Sequence, residues 1–540
     1  MNEKWTTPFA GHAEDLSSSK GKKEEEKMKR LRWIWQGDVY LKAVVLLAVM
    51  TSVVSFAYFY NTGIITAYGD AQSRLMIARR VVDGLHTGLA QLGGVWPPIP
   101  QIFMVPLIWN DFLYTSGIAG AVVSMVSYVV AVVFLYKLVV SVTEDRAAGL
   151  ISAIAFSNPN ILYMQSVPMS EMPFIAFFVM SIYFLMRWVQ DVEKLRFLFL
   201  TALAVSLATL TRYEGWVLLL VVTAVIVCVF RKNRFSYAKA EGHFVFFATL
   251  ALFGVGLWFI WNQVIYKDTL YFLTSEYAER SQFMEGQITE GGNFPLSFLV
   301  YGWAVLDNTG WITTTLGCVG LVYLIFARGR PSTQKLVALS LVFPFGFYVF
   351  ALFKGGIVLL QVPQLMPDAY QNIRYGLFMI PAVGFFVGVL VQKGRSWLKL
   401  SVLVLVVVSA VVTWQGGLVS FKEAFHDKVT IGTSPQDIAG HWLKDYYDEG
   451  LVLMAVKGNE PAAFVFSSEA SLSKVIYEGD QDIWEESLQD PTKHAQWVFM
   501  RSETTPDKVW KALHGTPQLL DNYDLVYQNG DIEIYKRKAN

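Results

Sequence analysis

The sequence predicts a polytopic α-helical membrane protein that ends in a small α/β domain. Three observations carry this. Apolar runs long enough to cross a bilayer recur between residues 40 and 420. The chain is 54% hydrophobic and only 16% charged, where a soluble protein averages about 25% charged residues, and its mean hydropathy is +0.39. After about residue 421 the apolar runs stop, and short strand-like and helix-like pieces alternate.

Residues 1–39 are polar and charged ("SSSKGKKEEEKMKR"). They read as a disordered cytoplasmic tail and not as a cleavable signal peptide. Hydropathy then marks spans at 40–60, 116–140, 147–163, 171–188, 196–211, 215–230, 243–265, 303–326, 336–353, 375–391 and 398–419, about eleven crossings. With the tail inside, the inner loops hold Arg146, Arg187, Lys194, Arg196, Arg231, Lys232, Arg234, Lys239, Arg328, Arg330, Lys335, Lys393, Arg395 and Lys399. That is the positive-inside bias. An odd number of crossings puts the C-terminus outside. Cys228 and Cys318 both lie in apolar runs and read as small core hydrophobes.

Three outer segments are too long to be mere connectors. The first, 61–115, carries "ITAYGDAQSRLMIARR" from Ile64. Its apolar residues fall at helical spacing, which predicts a helix lying along the membrane surface. The second is 266–298. The third, 421–540, reads as an extracytoplasmic α/β domain. Its expected helices are 435–449, 482–489 and 506–514, and its expected strands are 451–456, 474–477 and 496–500. A closing hairpin, "DLVYQNGDIEIYKR", turns at Asn529-Gly530. The domain has no glycine-rich phosphate loop and no Cys/His cluster, so it reads as a lid or recognition module.

Ionisable residues at the ends of spans are expensive and therefore point to function. Asp70 follows the first span closely. It is either a solvated loop acid or a catalytic base at the membrane surface. Glu171 sits in "SVPMSEMPF", where Ser170 and Pro173 also suit a helix start. Arg212 and Glu214 sit in "LATLTRYEGWVLL", between runs of only about fifteen apolar residues, or about 22 Å of helix. The hydrocarbon core is about 30 Å thick, so this turn should lie below the membrane surface. There its charges must face a wet cavity or pair with each other. Arg374, in "AYQNIRYGLFMIPAVG", and Lys354 either snorkel to the interface or face the same cavity. Carboxylates and guanidiniums around one outer cavity suit a substrate with an anionic phosphate and a hydroxyl to deprotonate.

With these residues in order, the chain resembles the polytopic glycosyltransferases of the GT-C class. The resemblance is specifically to their protein mannosyltransferase-like (family 39) and aminoarabinose-transferase-like branch, and it covers nearly the whole chain. Asp70 in "AYGDAQSRLMIARRVVDG" matches the family's acid in the first outer loop. "VWPPIPQIF" matches the loop's proline-rich end, with Trp96 where a histidine is usual, so no role of that histidine carries over. "MSEMP" matches the Ser/Thr-Glu-x-Pro stretch and points to Glu171. "LTRYEG", "WNQVIYKDTLYFLTSEY" and "NIRYGLFMIPA" look like later family segments.

The resemblance implies a GT-C fold and transfer of a sugar from a polyprenyl-phosphate donor to a protein, lipid or glycan acceptor on the outer face. Nucleotide sugars would meet the wrong face. Membrane lipid is an expected partner and nucleic acid is not. The implied reaction is a single inverting displacement with Asp70 as general base. Arg374, then Arg212 and Lys354, would bind the donor phosphate. Glu171 would orient the acceptor or hold the base, Glu214 would position Arg212, and Tyr213, Tyr375 and Glu276 would support the site. A divalent cation is left open, since the carboxylates present form no evident ligand set. The competing class is a transporter or flippase with an outer charged cavity. It predicts inverted repeats, and neither the long first loop nor the soluble tail has a counterpart elsewhere in the chain.

Overall fold

A computed structural model of the protein describes residues 38–275, 278, 291–367, 369–426, 434–456, 460–502 and 507–539. The expected N-terminal tail and Glu276 lie outside these residues.

The first helix, Val39–Asn61, starts where Asp38 accepts from the Tyr40 amide. Its 23 residues reach about 34 Å. Among the described residues, eight helices are long and apolar enough to cross a bilayer: Val39–Asn61, Ile118–Thr143, Glu171–Gln190, Glu214–Lys232, Tyr237–Tyr266, Ser332–Lys354, Ile373–Val391 and Ser396–Phe425. They divide by burial. Ile373–Val391 is 94% enclosed by protein, whereas Val39–Asn61 is 17% enclosed. The first of these forms the middle of the bundle, and the second leaves most of its apolar surface for lipid.

Of the other three expected spans, two are broken and one is as short as its run of about fifteen apolar residues predicts. The run 147–163 breaks into Arg146–Phe156 and Pro159–Met164. Pro159 disfavours helix at the residue before it, and Asn158 caps the second piece by accepting from the Ile161 amide. The run 196–211 forms a helix of only 15 residues, Leu195–Thr209. The run 303–326 is two helices, Phe294–Thr309 and Trp311–Phe326, bent by 112°. The bend falls at Gly310, whose φ is +85° and whose missing Cβ would lie 2.7 Å from Ser409 Oγ. Hydropathy counted apolar residues correctly but could not see where proline and glycine interrupt them. The cysteines are free. Cys228 is half-buried, and Cys318 is exposed on the bundle surface rather than in the core.

The expected helix in the first loop is Gly69–Arg80. Most of its residues are enclosed by protein. Leu75 and Ala78 pack with Met104 and Ile108 of the neighbouring helix Ile99–Ile108, and Met76 packs into the C-terminal domain.

That domain holds five strands: β1 Leu451–Leu453, β2 Val475–Ile476, β3 Ala495–Arg501, β4 Tyr523–Asn529 and β5 Ile532–Arg537. Their order is β2-β1-β3-β5-β4. β1 pairs parallel with β2 and β3, and β5 pairs antiparallel with β3 and β4. The hairpin turn holds Gly530 at φ +60°, where a glycine fits without strain. Alternate strand residues serve opposite faces. Val452, Trp497 and Phe499 join Met76 on one face, and Leu453, Val498 and Met500 face the other. The expected helices appear as Pro435–Tyr446, Asp482–Gln489 and Lys508–Leu513.

The domain docks on the first loop through polar contacts as well. Asp83 accepts from Ser471 Oγ at 2.8 Å and from the Ser473 amide at 3.2 Å. Arg80 lies over the Tyr477 ring at 4.3 Å, and His86 Nδ1 is 3.2 Å from Asp480 Oδ1.

Candidate active site

Five segments far apart in sequence converge at one end of the bundle. Asp70 sits in the first turn of Gly69–Arg80, where a carboxylate meets the positive end of the helix dipole. Glu171 opens Glu171–Gln190. Arg212 lies in the tight turn between Leu195–Thr209 and Glu214–Lys232. Gly215 makes that turn feasible, because a Cβ there would lie 2.3 Å from the Ala208 carbonyl oxygen. Arg374 belongs to the short helical segment Ile373–Met379. Glu423 comes from Val419–His426, at the end of the last span.

The two arginines are held by carboxylates. Arg374 Nη2 donates to Asp70 Oδ2 at 2.7 Å, and its Nε donates to Glu171 Oε1 at 3.2 Å. Its Nη1 donates to Glu423, whose other oxygen accepts from the Arg374 amide at 2.8 Å. Arg212 Nη2 donates to Glu214 Oε1 at 2.8 Å, and its Nη1 donates to Glu171 Oε1 at 3.1 Å. One Glu171 oxygen therefore bridges both guanidiniums. The Tyr375 ring lies 5.1 Å from Arg212 and 5.4 Å from Arg374. Tyr348 donates its hydroxyl to Glu214. Buried charges are tolerated only when paired and hydrogen-bonded in this way.

The four carboxylates differ in exposure. The side chain of Glu171 is 0% exposed, Glu423 2% and Glu214 9%, while Asp70 is 20% exposed. Asp70 is thus the carboxylate best placed to meet a reactant.

The structure brings Asp70, Glu171, Arg212, Glu214, Arg374 and Tyr375 together. The mutual Arg212–Glu214 pair exists, but it is one part of the larger network. Ser170 makes no capping hydrogen bond, and its Oγ instead accepts from Arg212 Nη1 at 2.9 Å. Two expected contributors stand apart. Lys354 is exposed at the end of its helix, over the Phe350 ring, and none of its described contacts reaches the cluster. Tyr213 donates to the Val95 carbonyl and stacks on Phe272, tying the Arg212 turn to the first loop. Arg212 and Arg374 were expected to face a phosphate, but each nitrogen of both donates to a partner within the protein.

Sequence reading missed Glu423 and passed over Arg74. Glu423 follows an apolar run as closely as Asp70 does, so the same signal would have found it. Arg74 lies one helical turn from Asp70 and is 5% exposed. Its guanidinium lies over the Trp96 ring at 4.4 Å. Its Nε and Nη1 have no hydrogen-bond partner among the described residues. Burial lowers its pKa to about 10, against the upward pull of Glu171 and Asp70. Among the described residues, no three His, Cys, Asp or Glu side chains are grouped to hold a metal ion.

Residues 108–261 match the family model for dolichyl-phosphate-mannose-protein mannosyltransferase. No curated protein matches the sequence. The crystal structure of ArnT from Cupriavidus metallidurans bound to undecaprenyl phosphate is 14% identical, with a TM-score of 0.57 over 91% of this chain and 97% of that one. Its apo form is 13% identical, with a TM-score of 0.56 over 92% and 98%. The chain thus shares the fold of ArnT along nearly its whole length, and its residues 108–261 match a mannosyltransferase family model.

Proposed function

We propose that this enzyme moves a sugar from a polyprenyl phosphate to an acceptor hydroxyl, with inversion, at the extracytoplasmic face of the plasma membrane. Two findings support the donor class. The matching family model is named for a dolichyl-phosphate sugar, and the fold relative was crystallised with undecaprenyl phosphate. The positive-inside bias supports the face.

The observation that carries the mechanism is the exposure of Asp70 beside three enclosed carboxylates. Asp70 takes the acceptor O–H proton as that oxygen attacks the anomeric carbon. The bond from that carbon to the phosphate oxygen breaks on the opposite side, and the polyprenyl phosphate departs with the electron pair. Arg374 aims Asp70 through its Nη2. Glu171 is enclosed, so it acts as a positioning residue that fixes both arginines and does not touch the acceptor. No step is routed through a metal ion.

The test is transfer of label from a panel of polyprenyl-phosphate sugars, using the full chain in lipid with native membrane extract as acceptor. Asp70→Asn is expected to lower transfer by about 10²–10⁴-fold, the usual contribution of a general base. The variant should still bind donor, and NMR of the product should show an inverted anomeric centre. Transfer near the wild-type rate by a folded Asp70→Asn enzyme would remove Asp70 from the role of base.

A further inference from the structure

Three arginines approach one another at this end of the bundle, and two of them are already committed. Arg212 and Arg374 set two positive charges against the four carboxylates Asp70, Glu171, Glu214 and Glu423. Every side-chain nitrogen of both already donates to a protein acceptor, so an anion arriving there would have to displace one of them. Arg74 stands outside that pairing. Its Nε and Nη1 are buried with no acceptor among the described residues. An unpaired charge removed from water is costly, and the Trp96 ring beneath it offsets that cost only in part. Burial accordingly lowers its pKa to about 10. The indole covers one face of the guanidinium, and Nε and Nη1 at its edge have no acceptor among the described residues. Those groups form a planar fork that matches phosphate oxygens. Arg74 and Asp70 are four residues apart on one helix, so their Cβ atoms are about 5–6 Å apart on the same face. A phosphate on Arg74 would hold the anomeric carbon within reach of a hydroxyl engaged by Asp70.

We propose that Arg74, seated on Trp96, is the phosphate-binding cation of this site, and that Arg212 and Arg374 serve the carboxylates instead. The assignment rests on the polyprenyl-phosphate reading above and names the residue that reading needs.

The test uses the full chain in nanodiscs, with radiolabelled polyprenyl phosphate as probe and polyprenol as control. Arg74→Gln is expected to weaken binding about tenfold or more, the loss of a charge-assisted hydrogen bond. Arg74→Lys should fall between the two, and Trp96→Leu should also weaken binding. The melting temperature of Arg74→Gln should equal or exceed that of wild type, because an unpaired buried charge has been removed. Undiminished binding by Arg74→Gln, or a lower melting temperature with binding unchanged, would overturn the assignment and leave the donor reading intact. Equal binding of polyprenyl phosphate and polyprenol by the wild type would overturn the donor reading itself. Inorganic phosphate binding as tightly as the lipid phosphate would overturn a lipid source for the anion. If Arg74→Gln does not fold, Arg74→Lys and Trp96→Leu decide the question.

Discussion

At the scale of single residues, the site is a chain of buried charges whose members are not equivalent. Glu171 Oε1 accepts from Arg212 and Arg374 together. Removing Glu171 leaves two buried guanidiniums short of a partner, and breaking a buried pair costs about 3–5 kcal/mol. Glu171→Ala is therefore expected to lower the melting temperature well below that of Asp70→Asn. Asp70 accepts from Arg374 Nη2 and is partly solvated. Thermal unfolding of both variants in nanodiscs checks this. Equal melting temperatures would mean that Glu171 is not the bridge the geometry shows.

At the scale of elements, close helix approach depends on glycine at particular points. A Cβ on Gly320 would lie 2.0 Å from the Phe386 carbonyl oxygen. That glycine therefore sets the contact between Trp311–Phe326 and Ile380–Val391, and the latter carries the Arg374 segment into the bundle. Gly256, on Tyr237–Tyr266, has nothing within 4 Å of its missing Cβ. Gly320→Ala is expected to destabilise by about 1–3 kcal/mol, the usual range for overpacking. Gly256→Ala should be neutral or stabilising by up to about 1 kcal/mol. Unfolding of the two variants side by side provides the check, and a tolerated Gly320→Ala would contradict the close packing.

At the scale of the whole molecule, the loop helix that bears Asp70 and Arg74 is clamped between bundle and sheet. Met76 enters the core of the C-terminal domain, while Leu75 and Ala78 pack toward Met104. Asp83 ties the same loop to Ser471 and Ser473. The domain thus holds the element that carries the proposed base. Asp83→Ala is expected to speed hydrogen exchange both around β2 and in Gly69–Arg80, and to slow transfer without abolishing it. Unchanged exchange in Gly69–Arg80 would show that the bundle alone positions that helix.

The sequence alone determined the class of molecule and most of the inventory. Hydropathy is a local sum over neighbouring residues, so the apolar runs, the loop helix and the hairpin at Asn529-Gly530 were legible. Asp70, Glu171, Arg212 and Arg374 stood out because charge next to an apolar run is conspicuous. Tertiary structure alone decided how these groups pair, because Asp70 and Arg374 are brought together across most of the bundle by packing that no local pattern encodes. The same holds for Glu423, which returns to Arg374 at the end of the last span, and for Lys354, which does not reach the cluster. It holds above all for Arg74. In the sequence it is one of several charges on an amphipathic helix, and only packing buries it over Trp96 with Nε and Nη1 lacking an acceptor among the described residues.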